Sequence, residues 1–381
     1  MAPIRLPSPI EESLPTINPK KLYGNNNNGV DKVRDAVHKD TFEVKENELH
    51  ATKKSRNVTF ENFYGHKPTR VDRRFDVTLS DHSYLPKIEN PRADWVVTAA
   101  TNAFRAYQHG DLGQVKRFAT IGTGSGTDVI AALDIFPQIE AVALTDLHED
   151  VVAAAKSNVL ASTEKSDDAI RAVASTAVAR AGDVLVPLKG EKPFDLIYEN
   201  LPNIPLPNAG DLDNGQASST YVGDRTLDRI PPFASTALLD LHYVALWQAK
   251  NFNLLSQTGA VLSSMGGRVD IETMLKLADA AGFVGRVVSL AWKEQSEPEN
   301  VIGGYAEFEN NGLGPFYFYP TAALEKVFAN YKPASAALCR QQIEIKLAPH
   351  RLDATTALQR YREGERIGHT VVVLASVLKA T

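Results

Sequence analysis

An α/β fold with a doubly wound, mostly parallel sheet is predicted by three features of this 381-residue sequence. Short β-branched and apolar runs alternate with segments of helical apolar spacing across residues 117–292, a pattern that lays parallel strands beside one another with helices on both faces. A glycine-rich turn directly follows the first of those runs. The hydrophobic content of 43% and charged content of 23% are those of a water-soluble chain with a sizeable core.

The elements follow in order. RFATI (117–121) reads as a strand, then a helix over 127–136, strand AVALT (141–145) and a helix over 149–159. Segment 170–181 is less clearly patterned. Strand FDLIY (194–198), a helix around 233–255, strand AVLSSM (260–265), a helix over 270–281 and strand VGRVVSLAW (284–292) continue the alternation. HTVVVLASVLK near the C-terminus predicts a last core strand, antiparallel to 284–292. Upstream, ADWVVTAATNAFRAYQ (93–108) has helical spacing, while the first residues are rich in Pro, Asn, Lys and Glu. The expected organisation is a loosely ordered arm (1–56), a helical cap and substrate region (57–115), a core (116–293), an insertion that also serves the substrate (294–367) and the last core strand (368–381).

Composition excludes several classes of function. Cys339 is the single cysteine, so the chain holds no intramolecular disulfide and no thiolate cluster, and a small buried thiol is expected there. A formal charge of −5 argues against a surface built to grip a phosphate backbone. No apolar run approaches the roughly 18–20 residues that span a bilayer, and the opening MAPIRLPSPIEESLP has neither an apolar core nor an Arg-rich character. A cytoplasmic protein without a membrane partner is expected, with a homodimer left open.

Chemistry concentrates in three places. Ile121-Gly122-Thr123-Gly124-Ser125-Gly126-Thr127 joins a strand to a helix, where glycines let the chain turn tightly and a ligand approach the backbone beside free helix N–H donors. Asp146 ends the next strand. Its carboxylate suits the two hydroxyls of a ribose, or it caps the following helix. Ala181-Gly182-Asp183-Val184 comes third, followed by the strand that ends in Glu199-Asn200-Leu201-Pro202-Asn203-Ile204-Pro205.

In this order and spacing, IGTGSGTD, TDLHEDVVAAAKSN, AGDVLVPL and FDLIYENLPNIP resemble class I methyltransferases, the release-factor glutamine and related N-methyltransferases above all. The resemblance covers residues 117–292 and implies a Rossmann-like fold and S-adenosylmethionine (SAM) as cofactor. It implies that Gly122, Thr123, Gly124, Ser125 and Gly126 line the cofactor, that Asp146 and Leu147 flank the ribose, and that Asp183 and Val184 meet the adenine. Asn200 matches the first position of the family's Asn-Pro-Pro-Tyr motif, where a side-chain amide and a backbone carbonyl hold a nitrogen nucleophile in line with the methyl group, and where the cofactor is also within reach.

The chain departs from that pattern at Thr120, where the family carries an acid for the cofactor's amino group, and at Leu201 and Asn203, where the family has a proline and an aromatic ring. Without the ring, glutamine and adenine acceptors fit less well. Glu199 joins Asn200 and Asn203 as a catalytic candidate, either as a carboxylate for a substrate amine or as a base, and equally it reads as a solvent-facing strand end. His66 and Tyr84 in the cap, Asn203 after strand 194–198, Tyr221 in the polar loop 206–232 and Tyr305 in the insertion are the candidate substrate contacts. His66 and His82 lack metal-ligand spacing, so no metal is expected.

Methyl transfer to a nitrogen or oxygen of a small molecule is the expected function. Aminocarboxypropyl transfer or cyclisation, as in nicotianamine and azetidine carboxylate synthases, keeps SAM and releases methylthioadenosine instead. A nicotinamide dehydrogenase and a noncatalytic nucleotide-binding protein are the remaining readings.

Overall fold

Two short strands, β1 (Arg56–Thr59) and β2 (Arg74–Val77), pair antiparallel ahead of the main sheet, with helix α1 (Phe60–Tyr64) between them. This ladder within the otherwise helical cap carried no sequence signal. The computed structural model describes residues 55–83, 85–110, 112–202, 204–205, 219–220 and 230–380, all within the unit Thr52–Thr381. The predicted arm therefore lies outside the described residues, except that Arg56 already opens β1.

The main sheet is built from β3 (Arg117–Ile121), β4 (Ala141–Asp146), β5 (Val178–Ala181), β6 (Phe194–Glu199), β9 (Leu255–Gly267), β10 (Phe283–Glu294) and β12 (Ile367–Leu378). Across the sheet the order is β10-β12-β9-β6-β3-β4-β5. Strands β3, β4, β5, β6 and β9 are mutually parallel. Strand β12 runs antiparallel to both its neighbours, so the last strand is the reversed one, as predicted. It also inserts between β9 and β10. Two-residue strands β7 (Ile204–Pro205) and β8 (Ser219–Thr220) pair apart from the main sheet, and β11 (Tyr319–Pro320) adds to the start of β12.

Ten consecutive residues of β12 are buried, which is why it reads as an unbroken apolar run: a strand covered on both faces has no solvent side to alternate toward. Helix α3 (Thr127–Ile135) is buried from Thr127 through Asp134, because the cap lies over the face that would otherwise meet water. That cap continues with a π-helical turn (Val96–Ala100) and α2 (Thr101–Gln108). Phe104 of α2 packs its ring against Phe118, Phe136 and Tyr198, at centroid distances of 5.5, 5.4 and 5.0 Å. Each such buried ring contributes about 1.5–3 kcal/mol.

Helix α4 (Glu149–Ala161) follows β4, and α5 (Asp168–Ser175) fills the segment that sequence left unpatterned. The single helix expected around 233–255 is two, α6 (Pro232–Thr236) and α7 (Asp240–Asn251). Leu238 adopts a positive φ of 55° between them, a conformation that no helix continues through. Helix α8 (Ile271–Ala280) links β9 to β10. The insertion contains α9 (Pro298–Asn310), α10 (Thr321–Phe328), α11 (Pro333–Leu338), α12 (Arg340–Leu347) and α13 (Ala354–Arg362). Cys339, expected as a buried hydrophobe, is only half-buried at the join of α11 and α12. Among the described residues no helix is long and apolar enough to cross a membrane.

Candidate functional site

Because β3, β4, β5, β6 and β9 are parallel, their C-terminal ends share one edge of the sheet, and the glycine turn, Asp146, Asp183, Glu199 and Asn200 lie along it. Between β3 and α3 the chain turns through Gly122, Gly124 and Gly126, with φ of 66°, 53° and 79°, values that side-chain-bearing residues rarely adopt. A Cβ on Gly126 would lie 2.9 Å from the carbonyl of Ala155 in α4, and one on Gly122 3.4 Å from the Leu201 side chain. The turn is thus packed against α4 on one side and the segment after β6 on the other.

Asp146 is tied to this turn. Gly124 N–H donates to its Oδ2 at 3.0 Å and Leu147 N–H to its Oδ1 at 2.8 Å. Burial pushes the carboxyl above its usual range, opposed by these donors. Its side chain does not cap α4, whose N-cap is His148. Ser125 and Thr123 are buried and hold the turn from within: Ser125 O accepts from Asn158 Nδ2 at 3.0 Å, and Gly126 N–H donates to Thr123 O at 2.9 Å.

Thr120, in place of the expected acid, donates to Asp128 Oδ2, and Thr123 Oγ1 donates to Asp128 Oδ1 at 3.0 Å. Asp128 is itself buried, and desolvation raises its carboxyl to about 6. A carboxylate therefore stands beside Thr120 after all, delivered by the first turn of α3 rather than by β3.

Past β5, Gly182 N–H donates to the carbonyl of Asp146 at 2.8 Å. Val184 takes a positive φ of 52°, and its carbonyl accepts from Thr145 Oγ1 at 3.0 Å. Gln248 of α7 binds the same loop, accepting from Leu185 N–H at 2.7 Å and donating to Asp183 at 3.5 Å. Asp183 and Asp146 thus project from adjacent strand ends beside the glycine turn.

At the end of β6 the structure departs from expectation. Glu199 is fully buried, so it is not the solvent-facing strand end. Nor is it a free carboxylate: His242 Nδ1, from the first turn of α7, lies 2.8 and 2.9 Å from its two oxygens, and Leu201 N–H donates to Oε2 at 3.3 Å. His242 Nε2 is buried with no partner among the described residues. Asn200 follows, half-buried, its carbonyl 3.9 Å from where a Gly122 Cβ would stand. Sequence reasoning missed His242, which carries no signal of its own in a helix that also holds Asp240, Gln248 and Lys250.

Of the proposed substrate contacts, Tyr84, Asn203 and Tyr221 lie outside the described residues. His66 is corrected. Its Nε2 lies 3.0 Å from Asp134 Oδ2 and its Nδ1 3.2 Å from Tyr64 O. Asp134 is in the last turn of α3, at the end opposite the glycine turn, so His66 fastens the cap to the core. Tyr305 of α9 is buried, and its hydroxyl accepts from Arg268, the residue after β9, at 3.3 Å. His82, expected to stand without metal-binding company, stacks on His148 at 4.3 Å and lies 3.0 Å from Asp150. These three offer ligand atoms within 4.8 Å of one another at the surface.

No family model matches this chain, and no curated protein does. Solved structures similar to it include a ribosomal protein methylase from Lactobacillus delbrueckii subsp. bulgaricus, at 16% identity and a TM-score of 0.28, covering 48% of this chain and 67% of that one. Mitomycin 7-O-methyltransferase shares 14% identity at a TM-score of 0.29, with 51% of this chain and 50% of that chain covered. Precorrin-6y C5,15-methyltransferase from Geobacter metallireducens shares 8% identity at 0.34, with 79% and 97% covered. At such distances the reading of function rests on the residues themselves.

Proposed function

We propose that this protein is a SAM-dependent methyltransferase acting on a nitrogen or oxygen of a small molecule. The observation that carries the reading is the bond between Asp146 and Gly124 N–H, which makes the strand-end acid and the glycine turn one unit with Asp183 beside it. A donor-rich turn with open backbone, flanked by two carboxylates at successive strand ends, fits a nucleoside with a charged tail. Gly122, Gly124 and Gly126 would hold the tail, Asp146 the ribose hydroxyls and Asp183 with Val184 the base. Asp128, held by Thr120 and Thr123, supplies the negative charge for the tail's amino group.

When bound, SAM supplies a sulfonium-activated methyl group. The chain's own residues then have three tasks. Asn200, adjacent to the glycine turn, orients the acceptor atom, a contribution through positioning. His242 takes the acceptor's proton at Nε2, while Glu199 fixes the ring and its tautomer through Nδ1. The cap and the insertion enclose the acceptor and keep water out.

Mass spectrometry of nucleosides released from SAM tests the reading. S-adenosylhomocysteine formed only when cell extract supplies an acceptor is the expected result. Methylthioadenosine formed without extract would replace methyl transfer by cleavage of the aminocarboxypropyl arm, and absence of SAM binding would sink both.

A further inference from the structure

Arg268 and Lys293 carry charge into the interior at the same sheet edge as Glu199. Arg268 follows β9, the strand next to β6, and is 4% exposed; Lys293, near the end of β10, is 0% exposed. Among the described residues neither makes an ion pair. Arg268 donates to Tyr305 OH at 3.3 Å, Gln295 Oε1 at 2.8 Å and His369 Nε2 at 3.0 Å, and its Nε has no partner among the described residues. Among the described residues Lys293 Nζ reaches Ser296 Oγ at 3.4 Å and the face of Trp95.

His369 does not offset this charge and does not add to it. Its Nδ1 lies 2.7 Å from the carbonyl of Thr370, so Nδ1 carries the hydrogen and Nε2 accepts from Arg268, which is the neutral ring; burial and the two cations push its pKa well down. Asp94, the buried carboxylate that attracts the Lys293 proton, is already filled by the N–H groups of Lys87, Val96 and Val97. Lys87 and Glu297 pair at 3.4 Å and cancel. With Lys293 protonated, Arg268 and Lys293 against Asp94 leave one positive charge in excess among the described residues. Proteins rarely bury charge without a counter-charge, because desolvation is not repaid.

The local backbone is built around this arrangement. A Cβ on Gly266 would lie 2.1 Å from Arg268 Nη1, and one on Gly267 1.9 Å from Thr370 Oγ1. Gly266 lets the guanidinium fold back along its own strand, where the rings of Tyr305 and Phe318 flank it at 4.8 and 5.7 Å, while Gly267 makes room for Thr370. Among the described residues the guanidinium keeps one unpartnered donor, Nε–H, and Lys293 lies near enough to feel its charge; a buried N–H of this kind is suited to an anionic oxygen.

We propose that Arg268 and Lys293 form an oxyanion subsite that holds a carboxylate or phosphate group of the acceptor substrate. Naming the occupant an acceptor rests on the methyltransferase reading; the subsite itself does not.

Isothermal titration of the full chain with acetate, benzoate and inorganic phosphate, with acetamide and benzamide as neutral controls, reads the subsite directly. Saturable binding of an oxyanion and of neither amide is expected, weakened about tenfold or more in Arg268→Gln and in Lys293→Met, each still binding S-adenosylhomocysteine like the unaltered protein. Preference for the carboxylates assigns an acid acceptor; preference for phosphate assigns a phosphate ester. Oxyanion affinity unchanged in both variants, or none in a protein that binds S-adenosylhomocysteine, overturns the subsite. If Arg268→Gln does not fold, Lys293→Met carries the test: it is expected to raise Tm while losing oxyanion, which a purely structural lysine would not do. A protein that binds oxyanion but not S-adenosylhomocysteine keeps the subsite and loses the methyltransferase reading.

Discussion

The carboxylate of Glu199 grips Nδ1 of His242 with both oxygens, at 2.8 and 2.9 Å, and leaves Nε2 buried without a partner among the described residues. A ring held this way has one nitrogen committed and one poised for a proton, the arrangement a general base requires. Replacing His242 with Ala is expected to lower kcat by about a hundredfold to ten-thousandfold, with affinity for S-adenosylhomocysteine within twofold of its starting value. Glu199→Gln keeps the shape and removes the charge, so it is expected to shift the pH–rate profile as well as lower kcat. Unchanged pH profiles in steady-state assays of Glu199→Gln would show that the pair is only structural.

Asp146 serves two partners at once, the turn and the proposed ribose. Its loss leaves Gly124 N–H and Leu147 N–H without acceptors and removes the hydroxyl contacts. Since hydrogen bonds to charged groups are worth about 1.5–3 kcal/mol, Asp146→Ala is expected to weaken S-adenosylhomocysteine by roughly ten- to a hundredfold. Calorimetric titration checks this. Retained affinity would mean that the carboxylate only braces the turn.

How much of this was readable in advance depended on the distance between partners along the chain. The glycine turn, Asp146 and the reversed last strand were legible because each is written in consecutive residues: positive φ at Gly122, Gly124 and Gly126, a strand-end acid, an unbroken apolar run. The burial of Glu199 and the pairing of His66 were not legible, because His242 is 43 residues from the one and Asp134 68 from the other. The Arg268–His369 contact spans 101 residues. It left only the glycine pair before Arg268 as a trace, which reads equally as a turn. The break at Leu238 was invisible because a leucine, not glycine, takes the positive φ there.

Asn200 is the residue whose role rests most on family resemblance, and the structure adds only its place beside Gly122. Asn200→Ala is expected to abolish turnover while S-adenosylhomocysteine binds as before, since the amide acts on the acceptor and not on the turn. Single-turnover and binding measurements on the same preparation separate the two. Full activity in this variant would return the catalytic role to His242 alone.

Lys293 gives the protein a stability signature that solution measurements reach without any substrate. Burial pushes its amine from 10.5 down to about 7; Arg268 and Lys87 add to the shift, and Asp94 and Glu297 oppose it. Between those two pH values the unfolded chain holds a proton that the folded protein has released, so stability rises with pH across the window, by up to about 1.4 kcal/mol per pH unit for one group. Below about pH 7 both states hold the proton and the rise stops. Lys293→Met removes the group, and its Tm is expected to exceed that of the unaltered protein at pH 6.5 and to lose this rise between pH 7 and 10. Thermal melts across that range, in buffer free of added oxyanions, read the difference. Parallel curves for the two proteins would mean that the buried amine keeps its proton in the fold, with a counter-charge already in place beside it.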